Sequence, residues 1–137
     1  CSICYLEYQK ALKENHCIDF QDMINESADI IHKRLISRDL LDFKYIIVDE
    51  YQDISRQRYN LIRELSQLCH AKIVAVGDDW QSIYAFSGSI LPLFTRFSQE
   101  VSYAQELKIT HTYRNAQEII DIAGTFIQKN SNQIKKN

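Results

Sequence analysis

The stretch Tyr45-Ile46-Ile47-Val48-Asp49-Glu50-Tyr51-Gln52-Asp53 decides the fold. A short apolar run stops at two adjacent carboxylates. The same grammar returns further along, where Ile73-Val74-Ala75-Val76 runs into Gly77-Asp78-Asp79-Trp80-Gln81. Short apolar runs rich in β-branched residues and bounded by turn signals read as buried strands. Two such strands that deliver acidic and amide side chains at their C-terminal ends predict an α/β sheet, and in open α/β sheets ligands bind at that edge. Carboxylates and amides at such an edge suit the hydrolysis of a Mg²⁺-bound nucleotide.

Working outward, Tyr5, Leu6, Tyr8, Gln9, Ala11 and Leu12 read as the tail of a helix. Asp19 then offers an N-cap, and Phe20, Met23, Ile24, Ala28, Ile31 and Leu35 follow at helical spacing. Residues 44–48 form a strand, apolar as expected where helices cover both faces of a sheet. Ser55 can cap the next helix, with Tyr59, Ile62, Leu65 and Cys69 on one face. Residues 72–76 form the second strand, and 77–88 a loop with at most one helical turn. Leu91-Pro92 starts a short helix through Phe97, and 104–110 reads as a third strand. Asn115 caps a last helix, with Asn115-x-x-Glu118 as a capping box and a face of Ile119, Ile122, Ala123, Phe126 and Ile127. The polar tail from Gln128 lies outside it. The order αβαβαβα predicts part of a parallel, three-layer α/β/α domain.

A chain of 137 residues is long enough for one domain with a real core. Its 45% hydrophobic and 25% charged content is that of an ordinary soluble chain. A formal net charge of −2 supplies no basic field, so any nucleic-acid contact has to come from local groups. No apolar run is long enough to span a membrane. The start, Cys1-Ser2-Ile3-Cys4, lacks a basic leader region and an initiator Met, and reads as an internal position of a longer chain. Cys1, Cys4, His16 and Cys17 could make a zinc site on paper. A single C-x-x-C, with His16 and Cys17 adjacent, fits reduced thiols in a cytoplasmic protein better.

Asp49 and Glu50 suit a division of labour. Neighbours at a strand end point in different directions. One carboxylate can hold Mg²⁺, usually with water in its shell, while the other orients and deprotonates an attacking water. The plain structural alternative is a pair of acids that complements the dipole of the following helix. In the second constellation, Gly77 permits a tight turn off the strand and Gln81 can sense a terminal phosphate or a water. Tyr84 and Phe86 either pack in a core or stack on unpaired bases, an interaction worth about 1–3 kcal/mol per base. Tyr113-Arg114 follows the third candidate strand, and an Arg there can reach charge that develops on a γ-phosphate, or simply face solvent.

Together the segments Asp19-Phe20-Gln21-Asp22-Met23-Ile24, Val48–Asp53, Gly77–Ser89 and Thr112-Tyr113-Arg114-Asn115 resemble superfamily 1 helicases of the UvrD/Rep type, in order and spacing, over residues 17–128. The wording from Gly77 to Ser89 is most similar to the DNA helicase IV (HelD-like) branch. The resemblance implies a partial RecA-like P-loop NTPase domain that uses ATP and Mg²⁺ to move on single-stranded or duplex DNA, with 3′→5′ polarity. It implies that Asp49 binds Mg²⁺, Glu50 is the catalytic base, and Gln52 and Asp53 link nucleotide state to neighbouring motifs. Gln81 would meet the γ-phosphate, Tyr113 would stack on adenine, and Arg114 would be the arginine finger. Tyr84 and Phe86 would meet DNA. Two departures stand out: Ser87 where many relatives carry Arg, and Thr112 where Asn commonly precedes Tyr-Arg.

A phosphate-binding loop needs Gly-x-x-x-x-Gly-Lys-Ser/Thr. The only glycines are Gly77, Gly88 and Gly124, and none precedes Lys. The resemblance therefore implies a cradle upstream of Cys1 and later motifs beyond Asn137. The expected organisation is a helical connection over 1–16, the C-terminal half of the first RecA-like domain over 17–111, and the opening of the next domain over 112–137. Three alternatives differ in kind: a HelD-like ATPase that remodels RNA polymerase, a motor-derived binding module without catalysis, and a metal-dependent phosphohydrolase using Asp49, Glu50 and Asp53. The parent's flanking domains discriminate the first, an upstream phosphate-binding loop the second, and metal-dependent cleavage without ATP the third.

Overall fold

A computed structural model of the chain describes residues 2–82, 88–101, 103–109 and 111–129. Six α-helices occur among them: α1 (Ser2–Glu14), α2 (Phe20–His32), α3 (Arg56–Cys69), α4 (Leu91–Thr95), α5 (Phe97–Glu100) and α6 (Gln117–Ile127). Two strands, β1 (Tyr45–Val48) and β2 (Lys72–Ala75), pair as a two-stranded sheet. The Lys72 N–H donates to Lys44 O and the Val76 N–H to Val48 O, so the register advances equally along both strands and the pair is parallel. The observed fold is a mixed α/β one. The chain divides into two compact units, residues 1–47 with 56–74, and residues 48–55 with 75–137.

The first unit is built on α2 and α3. Asp19 caps α2 as its sequence position predicts, its Oδ1 accepting from the Asp22 N–H at 2.7 Å. The face that α2 turns inward is Ile24, Ser27, Ala28 and Ile31. Phe20 and Leu35, expected on that face, are exposed, because the helix stops at His32 and Phe20 stands at its open first turn. Ile31, Leu68, Cys69 and Ala71 form the buried core, with Ile36, Leu41, Ile46, Leu61 and Leu65 packed around it. The thiol of Cys69 donates to Leu41 O at 2.8 Å, and the Ser66 hydroxyl to Ala71 O at 2.7 Å. Glu64, on α3, is buried but paired: His32 Nδ1 lies 3.1 Å from one carboxylate oxygen and Arg63 Nη2 3.2 Å from the other. Burial pushes the Glu64 carboxyl up, but the hydrogen bonds and positive charge of His32 and Arg63 outweigh it and hold the group below its ordinary range.

The second unit carries the turns that follow both strands. Tyr51 is fully buried, its ring 5.4 Å edge-on from Phe97 and 6.4 Å from Phe94. Ile54 and Leu93 are also buried in this unit. An isolated antiparallel bridge joins Ser55 to Ser89, and the Ile90 N–H donates to Ile54 O at 2.9 Å. Gly124 is the buried residue of α6 and faces the Trp80 ring, where a Cβ would make ordinary contact with Cζ3 at 3.4 Å.

Several expectations need correction. Residues 104–109 are not a strand: Leu107 and Ile109 are about nine-tenths exposed, and among the described residues no neighbour supplies the ladder hydrogen bonds that would hold them extended. Helix α6 is preceded by Ala116, without a side-chain cap, so the Asn115–Glu118 capping box is not formed. Most of its expected face, Ile119, Ile122 and Phe126, is exposed. The strands are also not covered on both faces. Ile46, Val48, Ile73 and Ala75 are half-buried, while Tyr45, Ile47, Val74 and Val76 stand exposed.

Candidate functional site

The candidate site lies in the second unit, where β1 and β2 end. Leaving β1, the chain turns sharply. The Tyr51 N–H donates to Val76 O at 2.9 Å, the Asp53 N–H to Glu50 O at 2.9 Å and the Ile54 N–H to Tyr51 O at 3.1 Å. This compact 3₁₀ turn, Tyr51–Asp53, is anchored by the buried Tyr51 ring. The turn requires a left-handed residue, and Glu50 takes that place at φ 49° and ψ 42°. For a residue with a Cβ this conformation is costly, and it persists where surrounding contacts over-determine it. Here Asp49 Oδ1 accepts from the Glu50 N–H at 2.9 Å and locks the approach. Both Asp49 and Glu50 are exposed at the strand end.

Gln52 is 2% exposed and makes two bonds that span the site. Its Nε2 donates to Glu50 Oε2 at 2.7 Å, and its Oε1 accepts from the Asp78 N–H at 3.1 Å. Gly77 makes room for it: a Cβ at Gly77 would sit 2.5 Å from Gln52 Oε1 and 3.0 Å from the Phe94 ring. Gly77 is therefore needed for close approach, not for the tight turn expected of it, since its φ is not in the positive region. Asp78 organises the second turn. Its Oδ1 accepts from the Trp80 N–H at 3.1 Å and its Oδ2 from Gln81 Nε2 at 3.0 Å, while Gln81 itself remains exposed. A continuous chain of contacts thus runs from Gln81 through Asp78 and Gln52 to Glu50. Asp53 lies behind it, with Oδ1 buried and without a hydrogen-bond partner.

The structure brings Asp49, Glu50, Gln52 and Gln81 into this chain of local contacts, and Asp53 joins it through its backbone N–H to Glu50 O. It does not add Tyr113 and Arg114 to that network. Tyr113 is almost fully exposed, and the hydrogen bond at Arg114 is from its N–H to Thr112 Oγ1 at 3.5 Å. Tyr84 and Phe86 lie outside the described residues. Sequence reasoning missed Asp78 as the hub and the left-handed Glu50. The signal for Asp78 was its place directly after Gly77, where a short acid caps a turn through its own side chain. Among the described residues no group of three or more His, Cys, Asp or Glu side chains could hold a metal ion. A Mg²⁺ ion that arrives with phosphates needs only one or two carboxylates from the protein, and exposed Asp49 is a donor of that kind. Among the described residues no helix is long and apolar enough to cross a membrane.

Residues 1–102 match the UvrD/REP helicase N-terminal domain. Among similar proteins, "DNA helicase IV" of Escherichia coli (strain K12) is 38% identical over 130 residues, which is 94% of this chain and 19% of that protein. "ATP-dependent DNA helicase PcrA" of Bacillus subtilis (strain 168) is 32% identical over 135 residues, 97% of this chain and 18% of that one. "ATP-dependent DNA helicase UvrD1" of Mycobacterium leprae (strain TN) is 31% identical over 137 residues, 92% of this chain and 18% of the relative. The chain thus spans less than a fifth of the length of these relatives. With most of its length matched, and with the acids, the glutamine and the glycine seated as described, the chain belongs to the UvrD/REP helicase N-terminal domain family.

Proposed function

We propose that this chain is part of the motor of an ATP-dependent DNA helicase or translocase that moves 3′→5′ on single-stranded DNA. The observation that carries the reading is the Glu50 carboxylate, exposed at a strand end yet fixed by a buried amide. A base in that state is accessible to a water and already oriented. Mg²⁺ bound with ATP would neutralise phosphate charge and polarise the γ-phosphoryl group. Asp49 would hold that ion. Glu50 would accept the proton of the attacking water as its oxygen bonds to the γ-phosphorus and the bond to the ADP oxygen breaks. Gln81 would report the γ-phosphate to Asp78 and so to Gln52, with Asp53 behind them. Tyr113 and Arg114 would reach adenine and the γ-phosphate, and Tyr84 and Phe86 would stack on DNA bases.

The proposed frame is a RecA-like three-layer domain. The exposed sheet face of Tyr45, Ile47, Val74 and Val76 supports it, because a second helical layer is what buries such a face. Within the parent, residues 1–16 would be a helical connection, 17–111 the C-terminal half of the first motor domain and 112–137 the opening of the next. The cysteines Cys4, Cys17 and Cys69 are free, in keeping with a cytoplasmic setting.

Glu50→Gln in the full-length parent tests the reading. The amide keeps the size and loses the base, so ATP turnover should fall on the order of 10²-fold or more while ATP binding stays nearly unchanged. Near-normal turnover by a folded variant removes Glu50 from the mechanism.

A further inference from the structure

We infer that Trp80 is a positioning residue for Arg114: its ring is the seat on which α6 docks, so the turn that carries Gln81 also sets where the Tyr113–Arg114 segment lies. The inference rests on the reading of Gln81 and Arg114 as groups that meet the γ-phosphate. Helix α6 turns only a narrow stripe inward. Gly124 is buried, Ile120 and Ile127 are half-buried, and every other residue of the helix is exposed. Positions 120, 124 and 127 follow at i, i+4 and i+7, one line along a helix. The Trp80 ring stands at the middle of that line: a Cβ on Gly124 would lie 3.4 Å from Cζ3 and 3.5 Å from Cη2. An alanine would fit there in ordinary contact. A longer side chain at this buried place would crowd the ring. The ring is fixed from its own side as well. Trp80 lies in the 3₁₀ turn Asp79–Gln81, its N–H donates to Asp78 Oδ1 at 3.1 Å, and Asp79 beside it is buried. Gln81 is the next residue and donates to the other oxygen of the same carboxylate. On the far side of the contact, α6 starts at Gln117, just beyond Arg114. Residues 112–116 form neither helix nor strand, so the seat of α6 limits where Arg114 can stand. One turn thus carries the first of the two phosphate-seeking side chains directly and holds the second through a helix.

The test uses the full-length parent protein and changes both sides of the contact. Trp80→Ala removes the seat and Trp80→Phe keeps a flat ring. Gly124→Gln sets a longer, polar side chain against the ring and lifts α6, while Gly124→Ala fits. Each variant is assayed for ATP turnover and melting temperature, and Trp80→Ala is also combined with Arg114→Ala. In Trp80→Ala and Gly124→Gln, kcat should fall about tenfold or more, within the loss that a displacement of about 1 Å can cause. Trp80→Phe should recover most of it, and Gly124→Ala should turn over normally. In the Arg114→Ala background, Trp80→Ala should cost less than about twofold more, because changes that act through one group do not add. Trp80 fluorescence supplies a readout without nucleotide, taken as the difference from the matching Trp80→Phe protein. Gly124→Gln should shift it to the red as water reaches the ring, and Gly124→Ala should not. Normal kcat in folded Trp80→Ala and Gly124→Gln overturns the inference. So does a full further loss in the Arg114→Ala background, which assigns Trp80 an effect that bypasses Arg114. So does an emission that Gly124→Gln leaves unmoved. Should Trp80→Ala not fold, Gly124→Gln decides; if neither folds, Trp80 serves stability and the inference falls. If Arg114→Ala itself turns over ATP normally, the underlying reading of Arg114 fails and takes the inference with it, and the fluorescence then reports the docking of α6 alone.

Discussion

His16, Arg34 and His70 hold φ values of 52°, 56° and 54°, each just beyond the end of a helix. The hydrogen bonds say why. Cys17 N–H reaches back to Leu12 O and His16 N–H to Lys13 O, and Leu35 N–H to Ile30 O with Arg34 N–H to Ile31 O. Ala71 N–H donates to Ser66 O in the same manner. These are the paired back-bonds that close a helix through a left-handed residue, a place usually given to glycine. None of the three positions carries one. His70 is exposed, so its side chain contributes little there to offset the strain. His70→Gly should therefore stabilise the protein by about 1 kcal/mol. Equilibrium denaturation of the two proteins checks this, and a lower midpoint for the glycine variant would contradict the strain argument. Glu50 bears the same conformational cost, and its proposed role as the base needs the carboxylate, so a glycine there would exchange that role for stability.

At the scale of elements, the clamp between α2 and α3 makes a prediction about acid. Glu64 is held below its ordinary value of 4.5, so its contribution is complete above that value. It is lost as pH falls through the lower, folded-state value, when the carboxylate takes a proton and releases His32 and Arg63. Glu64→Gln should flatten the acid side of the stability–pH curve below about pH 4.5. An acid limb identical in both proteins would detach this pair from acid unfolding. The elements themselves were legible to different degrees. Periodicity and the Asp19 cap showed α2, and apolar runs showed β1 and β2. The end of α2 was harder to place, because the chain closes that helix at Arg34, in the left-handed region, where a reader looks for glycine. Leu107 and Ile109 imitate a strand because alternation reports a side-chain pattern, while a strand needs a neighbour for its backbone. In the site, adjacent carboxylates and Gln81 could be read from position alone. The Gln52 bridge could not, since it depends on a turn bringing residue 52 back over residue 50 and beside residue 78.

For the whole molecule, the 137 residues hold the acids Asp49 and Glu50, the proposed sensor Gln81 and the proposed finger Arg114, but no Gly-x-x-x-x-Gly-Lys loop of backbone amides. Phosphoryl transfer depends almost wholly on positioning and electrostatic stabilisation of the phosphates. The chain taken alone should therefore show no saturable ATP binding by calorimetry at millimolar nucleotide and Mg²⁺, and no ATPase above background with or without single-stranded DNA. Binding at micromolar ATP would mean that the described turns hold phosphates by themselves. The division of the chain has a different consequence. It passes between the two units three times, after Ile47, after Ser55 and after Val74. The stretch Val48–Ser55, with Asp49, Glu50, Gln52 and Asp53, is thus spliced at both ends into the other unit, on one side through β1 and on the other through α3. Tension on the first unit reaches these four side chains along peptide bonds, and no single cut of the polypeptide can release either unit whole.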